Sequence, residues 1–141
     1  IMPSLVGSEM CIRDRDRWNE ELANKLASYK PDLVVSAGFM RIIGSTVVER
    51  FEGRIINTHP ALLPAFPGAH AVEDALNYGV RVTGSTVHVV DSGVDTGPII
   101  AQKAVEVAGD DTVDSLHERI KKVERALLVE VLHDFSDQRT F

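Results

Sequence analysis

The chain has one cysteine, Cys11, in 141 residues, which excludes an intrachain disulfide framework and fits a reducing compartment. No apolar run approaches the roughly 18 to 20 residues that a membrane-spanning helix needs. There is also no basic run, and the net charge is −6, which argues against a general nucleic-acid surface. A small phosphorylated ligand held by a few groups stays compatible with that charge. The glycine-rich signatures G-x-G-x-x-G and the P-loop are missing, which weighs against a nucleotide cofactor. The histidines His59, His70, His88, His117 and His133 have neither H-x-x-x-H spacing nor cysteine companions. No metal is therefore expected. Ser92 lacks the G-x-S-x-G context of a nucleophile elbow. Repeats, linkers and low-complexity tracts are absent too.

What is present is an ordinary globular composition, 44% hydrophobic and 26% charged, in a chain long enough for one domain with a buried core. A cytoplasmic location is expected. Residues 1–15 have neither period-2 nor period-3.6 order, so they are expected to lie outside the fold as a non-native or disordered segment. They look like translated adapter sequence joined to a gene fragment. On that reading residues 16–141 are a partial domain whose first part is missing.

From Asp16 onward Trp18, Leu22, Leu26 and Tyr29 follow helical spacing, and Pro31 forbids continuation past Lys30. Residues 32–38 form a nearly unbroken apolar run, as in a strand buried on both faces of a parallel sheet. Ser45 can cap a short helix to Arg50, and residues 53–57 form the next strand, which makes a βαβ unit. A helix over residues 70–77 ends at Gly79. The Val- and Thr-rich run 81–90, broken by Gly84, and the run 98–107 predict an antiparallel hairpin around the turn 91–97. Asp111 is placed to cap a last helix, on which Val113, Leu116, Ile120, Val123, Leu127, Val131 and Phe135 keep one apolar stripe. The class is α/β: an open, mostly parallel sheet with helices on both faces, Rossmann-like, ending in a hairpin and a long helix.

One stretch stands out, Ile55-Ile-Asn-Thr-His-Pro-Ala-Leu-Leu-Pro-Ala-Phe-Pro-Gly68. Asn57 and His59 lie two residues apart where a strand gives out, so they face one space. Pro60, Pro64 and Pro67 make the following connection stiff. The turn Asp91-Ser-Gly-Val-Asp-Thr-Gly97 offers two carboxylates, and Asp95 is expected to meet Asn57 and His59. Together they suit attack of an amine on an acyl or formyl group. An Asn amide and a protonated His can each donate to the tetrahedral oxyanion, and the His can also shuttle a proton. A carboxylate close to the His favours its charged form and fixes which nitrogen faces the substrate. Taken singly, these residues read more blandly: Asn57 and His59 as loop-satisfying groups, Asp91 as a turn residue binding its own backbone, and His88 as a strand histidine with a hydrogen-bond partner. His117 and His133 read as solvated or rim residues of the last helix. The apolar exit Met40, Ile42 and Ile43 reads as core or as pocket lining beyond a strand's carboxyl end.

Ala37-Gly-Phe-Met-Arg-Ile-Ile43, Asn57-Thr-His-Pro-Ala-Leu-Leu-Pro64 with Pro67-Gly68, Gly84-Ser-Thr-Val-His88 and Asp95-Thr-Gly-Pro-Ile-Ile-Ala-Gln102 together resemble the phosphoribosylglycinamide formyltransferases of purine synthesis. The resemblance implies formyl transfer from 10-formyltetrahydrofolate, as co-substrate, to the amine of glycinamide ribonucleotide, without a metal. It implies that Asn57 is the oxyanion donor, His59 the proton donor and Asp95 the group that orients His59. The folate pocket would be lined by Met40, Arg41, Ile42, Ile43, Asn57, Asp91 and Asp95, and Glu124 would help hold the ribonucleotide. Neither nucleic acid nor membrane is an implied partner, and the assembly would be a monomer or homodimer. The family also has a first strand leading to a glycine- and serine-rich phosphate loop, which residues 1–15 do not supply. This polypeptide is therefore expected to bind folate better than ribonucleotide, with loss of activity in the fragment as one alternative. Formyltetrahydrofolate deformylase shares the Asn-x-His and Asp core, and a folate-binding module without turnover is a further alternative. The methionyl-tRNA formyltransferases fit less well, because Ala65-Phe-Pro-Gly68 is not their basic stretch.

Overall fold

The computed structural model describes residues 12–38, 43–139 and 141. In chain order these form α1 (Ile12–Ser28), β1 (Val34–Ser36), α2 (Ser45–Arg50), β2 (Ile55–His59), α3 (Ala71–Tyr78), β3 (Val82–Val89), β4 (Ile99–Glu106) and α4 (Val113–Gln138). The strands lie side by side in the order β1-β2-β3-β4. β1 and β2 pair in parallel across the α2 crossover, while β2–β3 and β3–β4 are antiparallel. The described sheet is thus open and mixed, a βαβ unit extended by the expected hairpin. Of the segment expected to lie outside the fold, residues 1–11 fall beyond the described residues, and Ile12 to Arg15 begin α1.

Helices cover both faces, and adjacent β2 residues divide the core between them. Ile55 packs with Ala23 of α1 and Val47 of α2, whereas Ile56 packs on the opposite face with Val87 and with Leu127 and Val131 of α4. Both isoleucines are fully buried, a stabilisation of about 1.5 to 3 kcal/mol each. Leu116 and Ile120 of α4 close a third cluster with Val72 of α3 and Val105 of β4.

Several local expectations shift. Tyr29 is 71% exposed, because α1 ends at Ser28 and helical spacing no longer aims its ring. Val35 is exposed rather than doubly covered, since β1 is the outermost described strand. Gly44, not Ser45, is the N-cap of α2, and its N–H is donated to Asn19 Oδ1 of α1 at 2.9 Å. Gly84 does not break β3: the Lys103 carbonyl and Leu62 occupy the space its missing Cβ would need. Gly79 does end α3, with φ 88° and its N–H returned to the last turn. The apolar stripe of α4 begins at Leu116, a turn after exposed Val113.

The N-cap of α4 is Thr112, in a reciprocal box with Ser115, rather than Asp111. Asp111 instead accepts the Arg119 guanidinium, the Ser115 hydroxyl and the Ala108 N–H. Those donors, Arg119 foremost, hold its carboxyl well below the ordinary 3.8. A depressed carboxyl stabilises the fold above its unfolded value and loses that contribution as pH falls toward the folded one. Asp111→Asn is therefore expected to lower the urea midpoint at about pH 7, with a difference from wild type that shrinks below about pH 4. A difference that stays constant across that range would mean the ion pair contributes nothing.

Candidate active site

Beyond the carboxyl ends of β1 and β2 opens a cleft of about 650 Å³, the place where open α/β sheets receive ligands. Strand alternation sends Asn57 and His59 toward it from one face of β2. His59 is buried, and its Nδ1 lies 3.5 Å from Asp95 Oδ2. Its Nε2–H is donated to the Phe66 carbonyl at 2.7 Å. A carbonyl can only accept, so Nε2 carries a proton, and Nδ1 is the ring nitrogen turned toward Asp95.

Asp95 reaches the cleft from the β3–β4 loop, in a left-handed conformation (φ 54°) that aspartate tolerates better than most residues. Its Oδ2 also accepts the Gly68 N–H at 2.8 Å. Asp91 organises the same turn: its Oδ1 takes the Thr96 hydroxyl at 2.7 Å and the Gly93 N–H at 2.9 Å. These donors, the hydroxyl first, hold the Asp91 carboxyl below its ordinary value, with His88 adding a smaller effect. Gly97 closes the turn against the Val89 carbonyl, which lies where a side chain would begin. Asp91 thus binds the backbone of its own turn and also lines the cleft.

The antiparallel register pairs Asn57 with His88. His88 Nδ1–H is donated to the Val89 carbonyl at 3.1 Å, which leaves Nε2 facing the Asn57 amide nitrogen at 3.4 Å and Asp95 Oδ1 at 3.6 Å. On the other side of β2, Thr58 donates its hydroxyl to Glu124 Oε1 at 3.0 Å. Glu124, Lys121 and His117 of α4 line that side of the cleft, and Ile43 lines it near the end of β1. The expected pocket residues Met40, Arg41 and Ile42 lie outside the described residues. Among the described residues no group of three or more His, Cys, Asp or Glu is placed to hold a metal, and no helix is long and apolar enough to cross a membrane.

The formyl transferase family profile matches residues 2–132 of the chain. The chain belongs to the formyl transferase family. Among its formyl transferase relatives, the phosphoribosylglycinamide formyltransferase of Mycobacterium tuberculosis is 62% identical over 115 residues, 82% of this chain and 54% of that protein. The Bacillus subtilis enzyme of the same name is 44% identical over 123 residues, 87% of this chain and 63% of the relative. The crystal structure of phosphoribosylglycinamide formyltransferase from Bacillus halodurans superposes with a TM-score of 0.83 at 47% identity, covering 86% of this chain and 62% of that one. A formyltetrahydrofolate deformylase from Pseudomonas syringae superposes with a TM-score of 0.80 at 29% identity, covering 87% and 41%. The chain spans between half and two thirds of the length of the two curated relatives.

Within this formyl transferase fold, the cleft gathers Asn57, His59, Asp95, Asp91, Ile43 and Glu124. It also draws in His88, read from the sequence as a plain strand histidine; its partner comes from β2–β3 register, which no local pattern discloses. Lys121 was missed as well. The signal available was its position on one helical face with His117 and Glu124, at i, i+4 and i+7.

Proposed function

We propose that the chain carries the reacting centre of a cytoplasmic phosphoribosylglycinamide formyltransferase, moving the formyl group of 10-formyltetrahydrofolate to the amine of glycinamide ribonucleotide in purine synthesis. The observation that carries this reading is the convergence of Asn57, His59 and Asp95 on one cleft. In this reading the acceptor amine forms a bond to the formyl carbon, and the carbonyl oxygen takes the negative charge. The Asn57 amide and the protonated His59 ring stabilise that oxyanion. Collapse of the intermediate breaks the bond to the folate nitrogen, which takes up the proton that the amine gives up, relayed through His59. Asp95 orients the ring, and needs no proton of its own to do so.

The two sides of the cleft support a placement for each substrate. Asp91, Asp95 and Ile43 receive the folate. Glu124, steadied by Thr58, faces the acceptor amine, and Lys121 is the cation beside it suited to a phosphate.

The test supplies 10-formyltetrahydrofolate with and without glycinamide ribonucleotide and follows loss of the formyl group. Loss that requires the amine is the expected result. Loss in water alone would reassign the site to deformylation, and binding without loss in either arm would leave a folate-binding module.

A further inference from the structure

Three residues share one rung across three strands: His59 of β2 pairs with Thr86 of β3, which pairs with Gln102 of β4. His59 belongs to the reacting centre. The other two side chains meet the proline-rich loop that follows it. Thr86 is fully buried, and its hydroxyl is donated to the Ala61 carbonyl at 2.7 Å while accepting the Leu63 N–H at 3.1 Å. Gln102 Nε2 donates to the Leu63 carbonyl at 2.8 Å and to Thr86 Oγ1 at 3.1 Å. Every hydrogen-bonding site of that hydroxyl is used, and one amide nitrogen spends both hydrogens on the same pair of groups.

We propose that Thr86 and Gln102 are positioning residues for the transfer reaction, clamping the base of the loop so that its far end holds His59 and Asp95 in register. The loop leaves β2 after His59, is gripped at Ala61 and Leu63, and comes back to the site at two atoms. The Phe66 carbonyl takes the His59 Nε2–H at 2.7 Å, and the Gly68 N–H is donated to Asp95 at 2.8 Å. The same short segment therefore contacts both members of the His59–Asp95 pair, and the clamp fixes where it starts. Phe66 itself has φ 51°, a conformation a bulky side chain holds only when its surroundings impose it. Releasing the base lets Phe66 relax and takes the acceptor away from His59 Nε2. Misplacement of a reacting group by about 1 Å can cost on the order of 10²-fold in rate.

This inference rests on the proposed transfer function for its kinetic arm and has a second arm that does not. Thr86→Val keeps the shape and removes the hydroxyl, Gln102→Leu removes the amide donors, and Thr86→Ser restores the hydroxyl. Thr86→Val and Gln102→Leu are expected to lower kcat by about tenfold or more, with KM for both substrates within about threefold of wild type. Thr86→Ser is expected to recover most of that loss. The other readout is the hydrogen-bonded His59 ring N–H, observed by proton NMR: it should broaden or vanish in Thr86→Val and persist in Thr86→Ser. Wild-type kcat with an unchanged ring resonance in both Thr86→Val and Gln102→Leu would overturn the proposal. So would kcat losses that serine does not rescue and that only track a lowered melting temperature. If the wild-type protein transfers no formyl group, the functional reading fails while the ring resonance still decides the clamp.

Discussion

Replacing His59 with alanine is expected to lower kcat for formyl transfer by about 10²- to 10⁴-fold while shifting the dissociation constant for the formyl-folate by less than about threefold. The imidazole is buried between Asp95 and the Phe66 carbonyl, with little surface to offer a ground-state ligand. In the proposed mechanism its value lies in what it donates as the carbonyl becomes tetrahedral, and that charge does not exist when folate merely binds. Asp95→Asn should fall in the same class but by less, since the amide keeps an oxygen for the Gly68 N–H and loses only the charge facing the two histidines. Steady-state kinetics with a separate folate titration separates the two quantities. Parallel losses in rate and affinity would reduce both residues to walls of the pocket.

How far the sequence disclosed this site depends on the range over which each signal acts. Asn57 and His59 were legible because the two-residue spacing of a strand is a local rule, and the proline after His59 marked where the strand stops. Asp95 was legible because a hairpin turn rich in glycine and aspartate is local too, and the open direction of both elements was the same. The hairpin, the βαβ unit and the α4 stripe followed from periodicity in the same way. What escaped depends on register. His88 enters the site because β3 pairs with β2 at Asn57 and not one residue on, and Thr86 and Gln102 meet the loop for the same reason. A slip of one residue would send those side chains to the α4 face. Caps were misplaced by single residues at Ser45 and Asp111, because several small polar neighbours compete for one orphan N–H and tertiary partners decide between them. Asn19 settled the first case, and the reciprocal bonds of Thr112 with Ser115 settled the second.

Asn57→Ala is expected to lower kcat by about 10²- to 10³-fold, the loss typical of removing one oxyanion donor, again with little change in folate affinity. The amide nitrogen has two hydrogens. One is turned to His88 Nε2, an orientation imposed by the Nδ1–H that His88 donates to Val89, and the other is left for the developing oxygen. Donation to His88 also fixes which way the carboxamide is flipped, so its oxygen does not present itself to a negative charge. Because Asn57 and His59 are proposed to act on the same oxyanion from the same face of β2, their losses are not expected to add. Once either donor is gone the intermediate is no longer the species the other was placed to stabilise, and the double variant Asn57→Ala/His59→Ala should fall little below the worse single variant. A double variant whose loss equals the product of the two single losses would place the residues on separate steps. The shared oxyanion would then have to be abandoned, even with both side chains lining one cleft.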